Sequence, residues 1–320
     1  MRKLKSTLFI ALLCTAISAQ AQETIQKTFS GVERIKLTTA SGNGTIKKGN
    51  TDEVKVTLTY TYDEDDYQPE FEQRGTSLII EEEFRRSRYT RGYSEWTLEI
   101  PDGLTLDFKT GSGNIEIEGL AIEIQANSGS GNIEVMDVKG DTRANTGSGN
   151  IEVEDVEGNV DANTGSGSIR IRSINGDTDL NTGSGNIRGA QIEGAISMNT
   201  GSGNIEMLDA ILNGSSSLRT GSGNARIVLA AALNTDISIS TGSGNATLDF
   251  NGQEIEGRFI MKAQDKDDIR APFKFDGVKG DDDDDDRGWR RGNYTKEAEI
   301  GNKDIVIKIS TGSGRAEVKK

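Results

Sequence analysis

Histidine is absent from the 320 residues and cysteine occurs once, at Cys14. Without them there is no Ser-His-Asp or Cys-His nucleophile system and none of the common zinc sites. Aromatic residues make up 5% and hydrophobic residues 33% of the chain. That is too little for a compact globule of this length, yet enough for a narrow lumen. Beyond the N-terminus no stretch is long and apolar enough to span a membrane. Positive charge is also scarce, with a net charge of −14. Phosphate binding needs a basic footprint, so nucleic acid is not an expected partner.

The opening "MRKLKSTLFIALLCTAISAQAQ" has a basic start, an apolar run from Leu8 to Ala19, and small residues at Ala19 and Ala21. This reads as a secretory signal peptide over residues 1–21, with cleavage after Ala21. Leu13, just before Cys14, is too bulky for a usual lipoprotein box. Cleavage removes the cysteine and leaves 34 basic and 51 acidic residues. The expected location is outside the cytoplasm, in the periplasm, on the cell surface or secreted. There the fold would be held without disulfides.

Low hydrophobicity with high charge would suggest disorder, but an in-register repeat opposes it. The Thr or Ser opening each T-G-S-G turn falls at Thr110, Ser128, Thr146, Thr164, Thr182, Thr200, Thr220, Thr241 and Thr311, with a degenerate copy at Thr39. The core interval is 18 residues, and one long gap sits near each end. Five residues after the opening Thr begins an apolar pair with a charge between its members: Ile133, Glu134, Val135, then Ile151, Glu152, Val153. That period of two marks a strand with one face inward. A second alternation, as in Val160 and Ala162, precedes the turn. The glycines of the turn are expected to supply positive-φ conformations.

Two short strands cannot bury a core alone, but stacked coils share one. The expected fold is all-β: a parallel β-solenoid (β-helix), right-handed, of about ten coils, with two antiparallel strand and loop excursions near the ends. As a single domain over 22–320, it divides into a first coil (29–49), an excursion or cap (50–102), regular coils (103–250), a second excursion with an acidic loop (251–302) and a last coil (303–320). Asn127, Asn145, Asn163, Asn181 and Asn199 occupy one outward position in successive coils, and Asn114, Asn132, Asn150, Asn186 and Asn204 form a second file. At about 4.8 Å spacing these amides should form structural ladders.

The T-G-S-G-N-I-E-V coils, "FSGVERIKLTTASGNGTIKKG" and the closing "KDIVIKISTGSGRAEVKK" resemble a bacterial domain family of unknown function that carries the label "putative adhesin". The resemblance spans residues 29–320. It implies a β-helix-like fold in an exported or envelope-associated protein, and brings no catalytic residues.

The expected function is therefore an exported, non-enzymatic β-solenoid of the bacterial envelope, acting as a scaffold or an adhesion-type binding protein. The contrasting reading is a carboxylate-dependent polysaccharide hydrolase or lyase built on a β-helix. Asp137, Asp155, Glu134 and Glu152, however, recur at repeat spacing as a solvated face would. A calcium nonapeptide reading fails because Ile115, Ile133, Ile151 and Ile169 stand where that motif wants aspartate. No cofactor or metal is expected. Candidate ligand-binding residues lie in the excursions, where Arg88, Tyr89, Arg91, Tyr93 and Trp96, and Trp289, Arg290, Arg291 and Tyr294, could stack on sugars or pair with anionic groups. Expected partners are a glycan or other envelope polymer, or another surface protein. The run Asp281–Asp286 reads as a solvated loop whose cation binding the sequence leaves open.

Overall fold

The computed structural model describes residues 22–85, 92–280 and 294–320. The expected leader at 1–21 and the acidic run at 281–286 lie outside them. Among the described residues the chain forms two long sheets, one of 14 strands and one of 15. Each regular coil contributes one strand to each. The strand before the T-G-S-G turn, such as Thr142–Thr146, joins the 15-stranded sheet, and the strand after it, such as Ile151–Glu157, joins the 14-stranded sheet. Neighbouring coils pair in parallel and in exact repeat register: Ile133 beside Ile151, Ile151 beside Ile169, Asn145 beside Asn163. This is the β-solenoid expected from the repeat. No helix among the described residues is long and apolar enough to cross a membrane.

Inward files from both sheets fill the lumen. Ile151, Val153, Val160 and Ala162 are all buried, and each large aliphatic side chain so placed stabilises the fold by about 2 kcal/mol. Size variation is compensated between coils. At Gly189 the apolar file loses its side chain, and the space is taken by Met207 and Met198, whose Sδ and Cε would lie 2.6 and 3.2 Å from an added Cβ. Likewise the ring of Phe108 occupies the room left at Gly44.

The opening threonine has a defined task. Thr164 Oγ1 accepts from the Gly167 amide at 3.1 Å and donates to the Gly149 carbonyl of the preceding coil at 2.9 Å. Thr146 does the same with Gly149 and Gly131. One buried hydroxyl thus closes its own turn and ties it to the turn below. The glycines meet the expected need at some turns and a different one at the others. In coils such as those opened by Thr146 and Thr164, the turn glycines do not lie in the left-handed region. Their requirement is steric, because a Cβ on Gly149 or Gly165 would overlap the carbonyl oxygen of the equivalent glycine one coil earlier. Positive φ does occur at the last three turns, at Gly223, Gly244 and Gly314 (φ 140 to 152°), and at the second corner, at Gly140, Gly158, Gly176 and Gly194 (φ 142 to 156°). It also occurs mid-strand, at Asp137, Asp155, Ser173, Gln191 and Asp209 (φ 51 to 57°). That non-glycine file runs through five successive strands of the 14-stranded sheet, and the period-two pattern does not disclose it.

Both long gaps fold outward over the ends. Despite a separation of 71 positions, Thr39 pairs directly with Thr110, and at a separation of 70 positions Thr241 pairs with Thr311. In the first excursion, Ser77–Phe84 and Ser94–Ile100 lie parallel on the outer side of the first coil's two strands. Tyr67–Arg74, Glu53–Tyr60 and the N-terminal Glu23–Ser30 then add antiparallel strands. At the other end Gly257–Ala263 and Ile269–Arg270 lie on the last coil, with Tyr294–Ile300 antiparallel outside.

Candidate binding face

On the strand before each turn, the residue preceding the opening Thr points outward. There the Asn ladder forms: Asn145, Asn163, Asn181 and Asn199 each donate from Nδ2 to Oδ1 of the Asn one coil earlier, at 3.0 to 3.1 Å. A second amide proton of the inner members turns sideways, from Asn163 to Asp161 (2.6 Å) and from Asn181 to Asp179 (3.1 Å). The second Asn file works differently. Its side-chain oxygens accept the next coil's backbone amide, as from Asn150 N to Asn132 Oδ1 at 2.8 Å. Ser168 fits that file because its hydroxyl still accepts from Asn186 N, at 3.3 Å. A third ladder, not anticipated, runs through the other corner, where Asp141, Asn159 and Asp177 accept from the backbone amides of Asn159, Asp177 and Ala195.

Between the Asn file and the turn glycines runs an open groove of about 810 Å³, from Asn127 to Ser240. The buried Thr file forms its floor. Its lining is Asn, Thr, Ser and Gly with one cation, Arg219, and no carboxylate. That composition stands out on a chain of net charge −14. A second groove of about 670 Å³ flanks the other edge of the same sheet and holds Asp141, Asp161, Asp177 and Asp179. These carboxylates are engaged at repeat spacing. Asp161 pairs with Arg143 at 2.8 Å, Asp141 and Asp177 hold the corner ladder, and Asp179 accepts from Asn181. Thr142 Oγ1 and Thr178 Oγ1, buried beside this groove, have no hydrogen-bond partner.

Of the residues singled out in the excursions, Trp96 and Tyr294 belong to strands at opposite ends of the strand order, so the structure does not bring these two together. Arg88, Tyr89, Arg91, Trp289, Arg290 and Arg291 lie outside the described residues. Tyr93 is exposed (46%). Tyr294 begins the strand Tyr294–Ile300, its ring against Gly280. Trp96 has a different role from the expected sugar platform. It is 1% exposed, and its indole donates to Glu82 at 2.9 Å. The same carboxylate accepts from Tyr67 Oη (2.8 Å), from Ser94 Oγ and, through its other oxygen, from the Ala40 amide (2.8 Å). Burial, with the neighbouring Glu82 charge, pushes the Tyr67 phenol well above its ordinary range. Glu82 thus pins the cap to the first coil. Its place in "EEEF" gave no sign of this, because three consecutive glutamates read as surface.

This combination of stacked Thr turns, amide ladders and sheet-extending caps covers the stretch that the family profile of Toastrack DUF4097 matches, residues 32–271. The chain belongs to the Toastrack family. Three solved structures align along almost the whole Toastrack chain. The "putative lipid binding protein" of Parabacteroides distasonis has 17% identity over 93% of this chain and 97% of its own, with a TM-score of 0.44. The "putative adhesin" of Bacteroides fragilis has 11% identity over 94% and 97%, with a TM-score of 0.38. The "putative cell adhesion protein" of Clostridium sporogenes has 12% identity over 93% and 98%, with a TM-score of 0.25. No curated protein matches the Toastrack chain.

Proposed function

We propose that the protein is an exported, non-enzymatic β-solenoid of the bacterial envelope, an adhesion-type binding scaffold that holds a neutral, hydroxyl-rich polymer along the Asn groove. The observation that carries this reading is the groove's near-neutral lining on a strongly acidic molecule. A charged polymer would find little there to pair with. A glycan chain would meet acceptors on the Asn Oδ1 atoms and repeated small polar side chains, at a spacing of about 4.8 Å per coil. Regular geometry over many coils favours an extended ligand. Each coil adds the same modest contact, and the sum over coils gives avidity. The non-enzymatic reading is supported by the second groove, where the four aspartates are committed to the corner ladder, an ion pair or the Asn181 amide, so that Glu123 has no free carboxylate beside it to complete an acid and base pair.

The test is affinity electrophoresis of the full chain in gels containing neutral, acidic or no polysaccharide. Retardation should occur with a neutral glycan, and N163A/N181A should lessen it while leaving the fold intact by circular dichroism. If Y93A and Y294A abolish retardation and N163A/N181A does not, the site belongs at the ends. Absence of retardation by every polymer would sink the reading.

A further inference from the structure

The opposite face, that of the 14-stranded sheet, carries a charge pattern the groove does not use. Its outward file runs Glu116, Glu134, Glu152 and then Arg170, Arg188, each beside the next in register. The adjacent file repeats the change of sign, with Glu154 beside Arg172 and, one coil further out on either side, Met136 and Ala190. The step from acid to base falls between Ile151–Glu157 and Ile169–Asn175, the seventh and eighth of the 14 strands. One ion pair crosses it, Arg170 to Glu152 at 3.3 Å. Among the described residues, Glu134, Glu154, Arg172 and Arg188 make no ion pair within the chain. Like charges stacked on neighbouring strands repel. Glu134 registers this: burial, followed by the charges of Glu116 and Glu152, raises its pKa.

We propose that this face pairs with the same face of a second copy of the chain, about a two-fold axis parallel to the strands and above the charge step. Such an axis keeps positions along the strand and reverses the order of coils. Glu152 then faces Arg170 of the second copy, Glu154 faces Arg172, and Glu134 faces Arg188, each twice by symmetry. Met136 faces Ala190 between them. One strand further out, Glu116 comes opposite Glu206, which Arg188 and Arg226 flank in register. A two-fold contact requires a self-complementary surface, and matching acid and base blocks about a central step provide one. A ligand of one charge sign would satisfy only half of it. Six facing strands spaced about 4.8 Å apart and about 17 Å long cover about 500 Å² on each copy. That is less than the roughly 800 Å² per partner of a standard stable interface, so the pairing is reversible and electrostatic.

Sedimentation equilibrium of the full chain tests it. Dimer should form at about 0.01 M salt, where the Debye length is about 30 Å, and dissociate at about 1 M, where it is about 3 Å. R170E/R172E/R188E and E134R/E152R/E154R should each be monomeric alone, and an equimolar mixture should recover the dimer. Should either triple variant fail to fold, M136C/A190C in a C14S background provides a second route. The two positions lie three strands apart within one chain, beyond disulfide reach, yet face each other across the axis, so oxidation should yield a covalent dimer. A monomeric wild type at low salt, no recovery on mixing folded triple variants, or an oxidised cysteine variant that stays monomeric would each overturn the proposal.

Discussion

At the residue scale, threonine has opposite meanings at two positions of one coil. Thr164 is buried and makes two hydrogen bonds that link successive turns. Thr178, buried in the next coil, makes none through its hydroxyl, and its register neighbours Val160 and Ile196 are apolar. Leaving buried donors and acceptors unsatisfied costs about 1–3 kcal/mol, whereas removing an unpaired hydroxyl recovers part of such a penalty. Thr164→Val should therefore destabilise by about 2 kcal/mol, and Thr178→Val should be neutral or stabilising by up to about 1 kcal/mol. Urea unfolding of the two variants checks this, and shifts of the same sign would show that the hydroxyl assignment is mistaken. The parity of these threonines was legible in the sequence, since both fall on the inward phase. Which hydroxyl finds a partner was not, because the Gly149 carbonyl that Thr164 meets is contributed by the neighbouring coil. The turn glycines were legible only in part, for a similar reason. A sequence shows that a turn repeats, but the overlap a Cβ would cause arises only once turns are stacked.

At the scale of the element, the regular strands were readable because register, alternation and amide spacing all agree. The caps were readable only as interruptions. Their strands join the sheets through pairings that no repeat encodes, and their anchoring carboxylate lies in a run of three glutamates. Glu82 accepts four hydrogen bonds from Tyr67, Ser94, Trp96 and Ala40, and bonds to a charged group are each worth about 1.5–3 kcal/mol. Glu82→Ala should loosen the N-terminal cap by at least about 3 kcal/mol without unfolding the coils beyond it, since coils are held chiefly by their neighbours. Hydrogen exchange should show faster exchange over residues 53–100, with protection from Thr142 to Thr241 retained. Protection lost evenly along the chain would mean that cap and coils are one cooperative unit. The candidate residues Tyr93, Trp96 and Tyr294 belong to this scale as well. Trp96 has gone into the cap core because an indole that meets a carboxylate and Phe71 (ring centroids 5.9 Å) is better buried than exposed.

At the scale of the whole molecule, the protein is a solenoid whose end coils carry added cap strands and whose two broad faces differ: a near-neutral groove on one sheet, a charge step on the other. The in-register stack is the claim on which both faces depend. Deleting Thr146 through Asn163 removes one 18-residue coil, joins Asn145 to Thr164 and leaves every ladder in phase. Deleting only Thr146 through Glu154 removes half a coil and sets strands of one sheet against the other. Thermal unfolding of these two variants beside the intact chain is the most direct measurement. The whole-coil deletion should unfold cooperatively within a few degrees of the parent, and the half-coil deletion should lose the central coils' structure. Equal stability of the two variants, or equal collapse, would contradict the stack.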